Sequence, residues 1–546
     1  MTPGLRRARP YALLAFLCLL LYAPGIAGIP VLDRDEARFA EASRQMLESG
    51  DYVRIRFQDT ARNNKPVLIY WLQAAAVDLF SSAESRAIWP YRLPSAVGAS
   101  LAVFFLFALG GRLFAAGTAG SRAAFLGAVL MASSLGLVAE AHIAKTDACL
   151  LAATVAGEGA LARIYLRAKD GKRAGFSPAV LFWAAEALGI LLKGPIAPFV
   201  AFLTAAALSL ADRDASWLRG LYPLRGLLLL ALIVAPWLFL IEKETHGRFL
   251  EGALGQDFLP KLLGGEQSHG APPGTYLLAL PAYFWPGSLY LFPALVRGWQ
   301  RRNAPPERFL LAWLLPAWAV FELVPTKLPH YVLPLYPALA LLAGGALAEG
   351  ISLPARAERV ADHALKALFA VATAALAFLL AALPILFGAG FSLAALAAAA
   401  LLAALGAALL LAPRRFFLVP MLSAAFVFAA AQIVLPSLDR LWLSRSAAAL
   451  VAAHPGQKGT PVLAVGYSEP SLVFLLGSKT RLALPAAAAA MLAPGGRALV
   501  AAGEAKAFEK ALAARGFEAS PLGSVKGLDY STGRRLVLIL YAIVRG

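Results

Sequence analysis

Apolar runs of about 20 residues recur along the first 436 positions of this chain, and no other feature narrows its possible folds as far. Each run is long enough to cross a ~30 Å hydrocarbon core as a helix, and within lipid only helices and closed barrels pair every backbone polar group. With 60% hydrophobic and 15% charged residues, the chain is too apolar for a soluble protein of its length. The expected fold is an all-α polytopic membrane protein. Thirteen spans are expected, near 10–29, 92–111, 122–141, 147–166, 178–193, 195–211, 223–242, 275–296, 308–325, 331–349, 364–387, 391–412 and 416–436. The first run follows Arg6, Arg7 and Arg9 but is too long for a signal peptide and lacks a small-x-small cleavage site, so it reads as a retained span.

The net charge of +18 does not point to nucleic acid, because most Lys and Arg lie in short connections between apolar runs. Arg167, Lys169, Lys172 and Arg173 occupy one such connection, and Arg297, Arg301, Arg302 and Arg308 another. The alternate connections hold mainly single cations, Lys145, Lys193 and Lys327. By the positive-inside rule the N-terminus is cytoplasmic, and an odd number of spans puts the C-terminus outside. Cys18 and Cys149 sit inside apolar runs and build neither a disulfide framework nor a zinc motif.

Two long loops fall on the outer side, at 30–91 and 243–274. The first opens with Asp33 as helix cap, Glu36 three residues on and Gly50 as the stop. Phe39, Ala42 and Met46 share one face of this helix, which is expected to lie on the membrane surface. Val53 to Phe57 alternates like a strand, and Pro66 to Phe80 reads as a second interfacial helix. Residues 1–436 form the expected membrane domain. Beyond 437 strands alternate with helices: strands at 461–466, 497–502 and 536–544, and helices from 471 and over 505–515. This pattern predicts a small α/β domain over 437–546, on the outer side.

The charged residues at the outer helix ends converge on one face. Asp35, Glu36 and Asp147 supply carboxylates, which serve as general bases. Arg38, Lys65, Lys145, Lys193, Lys327 and His330 add cations or a titratable ring, and the second loop adds Asp257, Lys261 and His269. Cations bind phosphate, so a lipid-linked phosphosugar at a bilayer surface is served by both sets.

The order of several motifs resembles bacterial lipid A aminoarabinose transferases, which belong with the protein O-mannosyltransferases in the GT-C class of glycosyltransferases. The blocks are Asp35-Glu36-Ala37-Arg38-Phe39, Lys65-Pro66 with Tyr70-Trp71, Lys145-Thr146-Asp147, Leu192-Lys193-Gly194-Pro195, Ser268-His269-Gly270, Lys327-Leu328-Pro329-His330-Tyr331 and Glu469-Pro470-Ser471. The resemblance implies a GT-C fold and a glycosyltransferase of the inner membrane. It would move a sugar from a polyprenyl phosphate to a periplasmic acceptor, lipid A or another envelope glycolipid. A protein acceptor, or a lipid-linked sugar flippase, are the alternatives. The resemblance also implies roles: Asp35 as catalytic carboxylate, Lys65 and Tyr331 at the donor phosphate, Asp147 in the same cavity. Asn64 stands where those enzymes carry a glutamate that can help hold a metal. A divalent metal is therefore doubtful, and no other cofactor is expected.

Overall fold

The computed structural model describes residues 3–32, 34–114, 118–258, 270–349, 356–457 and 459–546. Its first ten helices are α1 (Pro3–Tyr22), α2 (Arg34–Ser49), α3 (Leu68–Phe80), α4 (Trp89–Leu113), α5 (Thr118–Ser133), α6 (Leu135–Ala141), α7 (Asp147–Lys169), α8 (Phe176–Lys193), α9 (Ile196–Asp212) and α10 (Pro223–Thr245). Among the described residues, eight helices are each long and apolar enough to cross a membrane. They are α4, α7, α8 and α10, and the helices at Pro329–Glu349, Val360–Phe387, Leu393–Leu411 and Leu418–Ser437. A ninth arises if α5 and α6, bent by 60°, form one broken span.

The other four expected spans are helical but fall short of an independent span. The apolar part of α1 and the whole of α9 are short. The segment near 275–296 breaks between Thr275–Tyr283 and Leu291–Gln300. The helix Pro305–Leu323 carries Glu307, Arg308 and Glu322.

Burial separates central helices from lipid-facing ones. Along the apolar window of α7, 78% of residues are buried, against 22% for α10. On α10, Leu224, Leu228 and Leu232 recur every fourth residue and stay 86%, 72% and 70% exposed, an apolar stripe with no protein to cover it and so a lipid face. Its other stripe, Val234, Trp237 and Ile241, packs against Phe39, Met46, Ile55, Val67 and Tyr70.

That packing corrects the expected placement of α2. Its first turn carries Asp35 and Glu36, and it ends at Gly50, whose φ of +69° suits glycine. The predicted face of Phe39, Ala42 and Met46 is buried against protein rather than lipid. Asp33, the expected cap, lies outside the described residues. The predicted strand at 53–57 reduces to β1 (Arg56–Phe57), paired with β2 (Thr60–Ala61). Helix α3 has 13 residues, too short to span, as expected.

The C-terminal part is a sheet domain. Strands β3 (Val462–Val465), β4 (Arg481–Ala483), β5 (Arg497–Ala501), β6 (Phe517–Asp529) and β7 (Arg534–Arg545) form one sheet in the order β4-β3-β5-β7-β6. β3 runs parallel to β4 and β5, while β7 is antiparallel to both neighbours. Alternation along the strands feeds two cores. Leu463, Val465, Ala498 and Val500 meet Phe508 and Leu512 on one face. Ala464, Leu499, Leu538 and Leu540 meet Leu443, Ala447 and Leu472 on the other.

This domain grips α2. Arg44 donates to Glu41 (2.9 Å) and to the carbonyl of Phe474 (2.7 Å), and its guanidinium stacks 4.3 Å from the Phe474 ring centre. Arg34 pairs with Glu469 at 3.2 Å. Burial pushes the Glu41 carboxyl up to about 7 against the pull of Arg44. If Arg44 is removed, Glu41 is therefore free to take a proton instead of remaining an unpaired buried charge. We expect Arg44→Met to destabilise by only about 2 kcal/mol and to loosen the sheet domain, seen as faster proteolysis near the domain boundary with the membrane helices intact. Unchanged cleavage would remove Arg44 as the clasp.

Candidate active site

Consecutive antiparallel helices place the N-terminus of α7 beside the C-terminus of α8. Asp147 opens α7 and Lys193 closes α8, each with the sign that its helix dipole favours. Gly194, at φ +68°, and Pro195 turn the chain directly into α9. Lys193 donates to Asp147 at 2.5 Å, and its ammonium lies 5.2 Å from the ring centre of Tyr331. His330 stands between two carboxylates, its Nε2 3.9 Å from Asp147 and its Nδ1 3.8 Å from Glu140. Glu140 in turn faces Lys145 at 3.9 Å.

Asp147, Lys193, His330 and Tyr331 line a cavity of about 420 Å³. Asn64, Lys65, Asp147, Lys193, His330 and Tyr331 form its polar end. Leu150, Ile196, Phe199, Val320, Phe321 and Val324 form its apolar wall. The cavity joins two cationic groups to an apolar trough, so an anionic headgroup with a hydrocarbon tail matches both parts.

Asp35 stands on the first turn of α2, its side chain 53% exposed. Arg38 approaches it at 3.6 Å and Arg62 at 3.7 Å. Arg62 is itself anchored, donating to the Tyr70 hydroxyl at 3.2 Å and lying over the Phe39 ring. Burial opposes ionisation of Asp35. The combined field of Arg62, Lys145, Arg38 and Lys65 outweighs it and holds the carboxyl below its ordinary value. Its base form therefore persists through mildly acidic pH. Between about pH 7 and pH 5 we expect no loss of activity from protonation of Asp35. An acid limb in that window that vanishes in Asp35→Asn would contradict this.

Glu36 does not share the role expected from its position. It is fully buried, and four donors occupy its carboxylate. Oε1 accepts from Arg92 Nε (2.7 Å) and the Ala144 N–H (2.9 Å), and Oε2 from Arg92 Nη2 (2.9 Å) and the Leu32 N–H (2.8 Å). Arg92 spends its other donors on the carbonyls of Ile26, Ile29 and Pro30. No lone pair of Glu36 is left to accept a substrate proton. Through these bonds Glu36 ties the start of α2, next to Asp35, to Leu32, Arg92 and Ala144.

Lys327 is also displaced from its expected role. Its ammonium donates to the carbonyls of Ala271 (3.0 Å) and Val324 (2.6 Å), securing the 270–271 segment rather than heading the cavity. Lys261 and His269 lie outside the described residues, and the side chain of Asp257 is not described. Among the described residues no three His, Cys, Asp or Glu side chains form a group fit to hold a metal ion. Asn64 offers the cavity a neutral amide beside Lys65, a poor donor set for a divalent cation.

A family described as dolichyl-phosphate-mannose-protein mannosyltransferase matches residues 64–239. An undecaprenyl phosphate-alpha-4-amino-4-deoxy-L-arabinose arabinosyl transferase from Pseudomonas aeruginosa (strain UCBPP-PA14) is 28% identical over 350 residues, 64% of this chain. A similarly named relative from Pseudomonas fluorescens (strain Pf0-1) is also 28% identical. The match spans 61% of the length of these relatives. Among solved structures, ArnT from Cupriavidus metallidurans bound to undecaprenyl phosphate superposes with a TM-score of 0.74, covering 97% of each chain at 18% identity. The archaeal oligosaccharyltransferase AglB from Archaeoglobus fulgidus superposes with a TM-score of 0.52 at 13% identity, over 86% of this chain and 64% of AglB. The chain therefore has the GT-C fold and resembles both the aminoarabinose transferases and the protein mannosyltransferases.

Proposed function

We propose that this chain is a glycosyltransferase of the inner membrane. It takes a sugar from a polyprenyl phosphate and gives it to a periplasmic acceptor, lipid A or another envelope glycolipid. The observation that carries this reading is the cavity that joins Lys65, Lys193 and Tyr331 to an apolar trough. The solved relative of the same fold, which holds undecaprenyl phosphate, supports it. Residues 1–436 form the catalytic membrane domain, and 437–546 the periplasmic α/β domain. The N-terminus is cytoplasmic, which the positive-inside pattern supports.

The tail of the donor lies in the trough and its phosphate meets Lys65 and Lys193. Asp147 holds the Lys193 ammonium toward Tyr331. Asp35, ionised among its cations, faces the acceptor and takes the proton of a nucleophilic hydroxyl, or orients an oxygen already ionised. The nucleophile attacks the anomeric carbon from the side opposite the phosphate, inverting it. The bond to the phosphate oxygen breaks, and the departing charge is met by ammonium groups already in place.

We expect Lys193→Met to lower transfer by about 10²-fold, with a raised KM for the donor, because one phosphate contact is lost and Asp147 is left unpaired. Kinetics in proteoliposomes against donor concentration check this; an unchanged KM would move the phosphate elsewhere. The family match at 64–239 favours one second reading, a protein acceptor with the same chemistry. Offering lipid A and a Ser/Thr-rich peptide in one assay separates the two.

A further inference from the structure

The span Val360–Phe387 ends against the sheet domain, and there a second cavity of about 360 Å³ opens. Leu386 and Phe387 contribute the end of the helix. Arg440, Lys526, Leu528, Arg535 and Val537 contribute the other side. The hairpin register explains this grouping. Lys526 stands opposite Val537 and Leu528 opposite Arg535, so two cations and two apolar side chains alternate on one face of β6 and β7. Backbone bonds hold the parts together: the Arg440 N–H donates to the Phe387 carbonyl (2.9 Å), and the Leu528 N–H to the Arg440 carbonyl (2.7 Å).

Among the described residues no carboxylate lines this cavity. Among the described residues the side chains of Arg440, Lys526 and Arg535 have no ion pair or hydrogen bond. They do not serve the helix end either, because the Pro384 and Phe387 carbonyls are taken by backbone N–H groups of Gly388, Gly390 and Arg440. Within the same lining Leu386 is 60% exposed and Val537 42%. Three unneutralised cations next to exposed aliphatic side chains, at the height where a span leaves the bilayer, match an amphiphile with an anionic head.

We propose that this cavity binds an anionic phospholipid of the surrounding leaflet, with its phosphate at Arg440, Lys526 and Arg535 and its acyl chains along Leu386 and Val537. The site is separate from the Lys65–Lys193 cavity and independent of the reaction proposed above. A bound lipid would tie the sheet domain to the membrane surface.

The test is native mass spectrometry of the full chain released from detergent with dioleoylphosphatidylglycerol or dioleoylphosphatidylcholine. The wild type should retain phosphatidylglycerol preferentially. The triple variant Arg440→Gln/Lys526→Gln/Arg535→Gln should lose about tenfold or more of that retention. A charge-matched control on the same domain, Lys479→Gln/Lys506→Gln/Lys510→Gln, should keep it. Equal retention of the two lipids, equal loss in both variants, or full displacement by millimolar inorganic phosphate would each overturn the proposal, the last by showing a free-anion site. All exchanged side chains are exposed, and an unchanged thermal midpoint confirms that the variants fold.

Discussion

Asp35→Asn is expected to lower sugar transfer by about 10²–10⁴-fold, the range that a positioned general base supplies, while the protein stays folded and still binds the donor. The expectation rests on what surrounds this carboxylate. It is half exposed, on the first turn of a helix whose other face is locked into protein, and four cations keep it ionised. The amide keeps the shape and removes the charge. A loss in kcat without a matching rise in donor KM is therefore the signature. If donor affinity collapsed instead, Asp35 would belong to the phosphate site. If the rate were unchanged, the base would lie elsewhere.

The neighbouring substitution should behave in the opposite way. Glu36→Gln leaves the fully buried Arg92 guanidinium without its charge partner, and losing one member of such a pair costs about 3–5 kcal/mol. The expected result is a lower Tm and poor recovery of folded protein, with whatever folds retaining near-normal KM values. Replacing both partners by Leu should not restore stability fully, because the carbonyls of Ile26, Ile29 and Pro30 would lose their donor. A Glu36→Gln protein that folds normally but is inactive would instead return Glu36 to the catalytic set. Two adjacent carboxylates are thus separated by two different readouts.

Much of this arrangement was legible in the residues. Helical periodicity and the Gly50 stop located α2. The short apolar stretch before Asp78 located α3, and the strands expected at 461–466, 497–502 and 536–544 correspond to β3, β5 and β7. Ionisable residues at the ends of apolar runs pointed to Lys65, Asp147 and His330, and the family resemblance pointed to Tyr331; all four line one cavity. Contacts distant in sequence were hidden. Arg92 sits where a span begins and reads as a residue reaching for the interface; only the fold brings Glu36 to it, 56 positions away. Arg62 lies in a polar stretch without periodicity, so its place beside Asp35 had no local signal. Glu140 was lost inside an apolar run. Lys193 was visible as a lone cation before Gly194-Pro195, but its pairing with Asp147 depends on the antiparallel packing of α7 and α8. Strand β6 was missed because it lies at the sheet edge, is partly exposed and carries a bulge at Pro521/Gly523, which breaks alternation.

The most direct test of the central claim follows both products of one reaction. Purified protein in proteoliposomes is given a polyprenyl-phosphate sugar and lipid A, and mass spectrometry measures sugar-modified lipid A together with released polyprenyl phosphate. The account predicts that the two appear in equal amounts, and that both fall together in Asp35→Asn and in Lys193→Met. Intact donor that crosses the bilayer without release of polyprenyl phosphate, or release without any glycosylated acceptor, would contradict it.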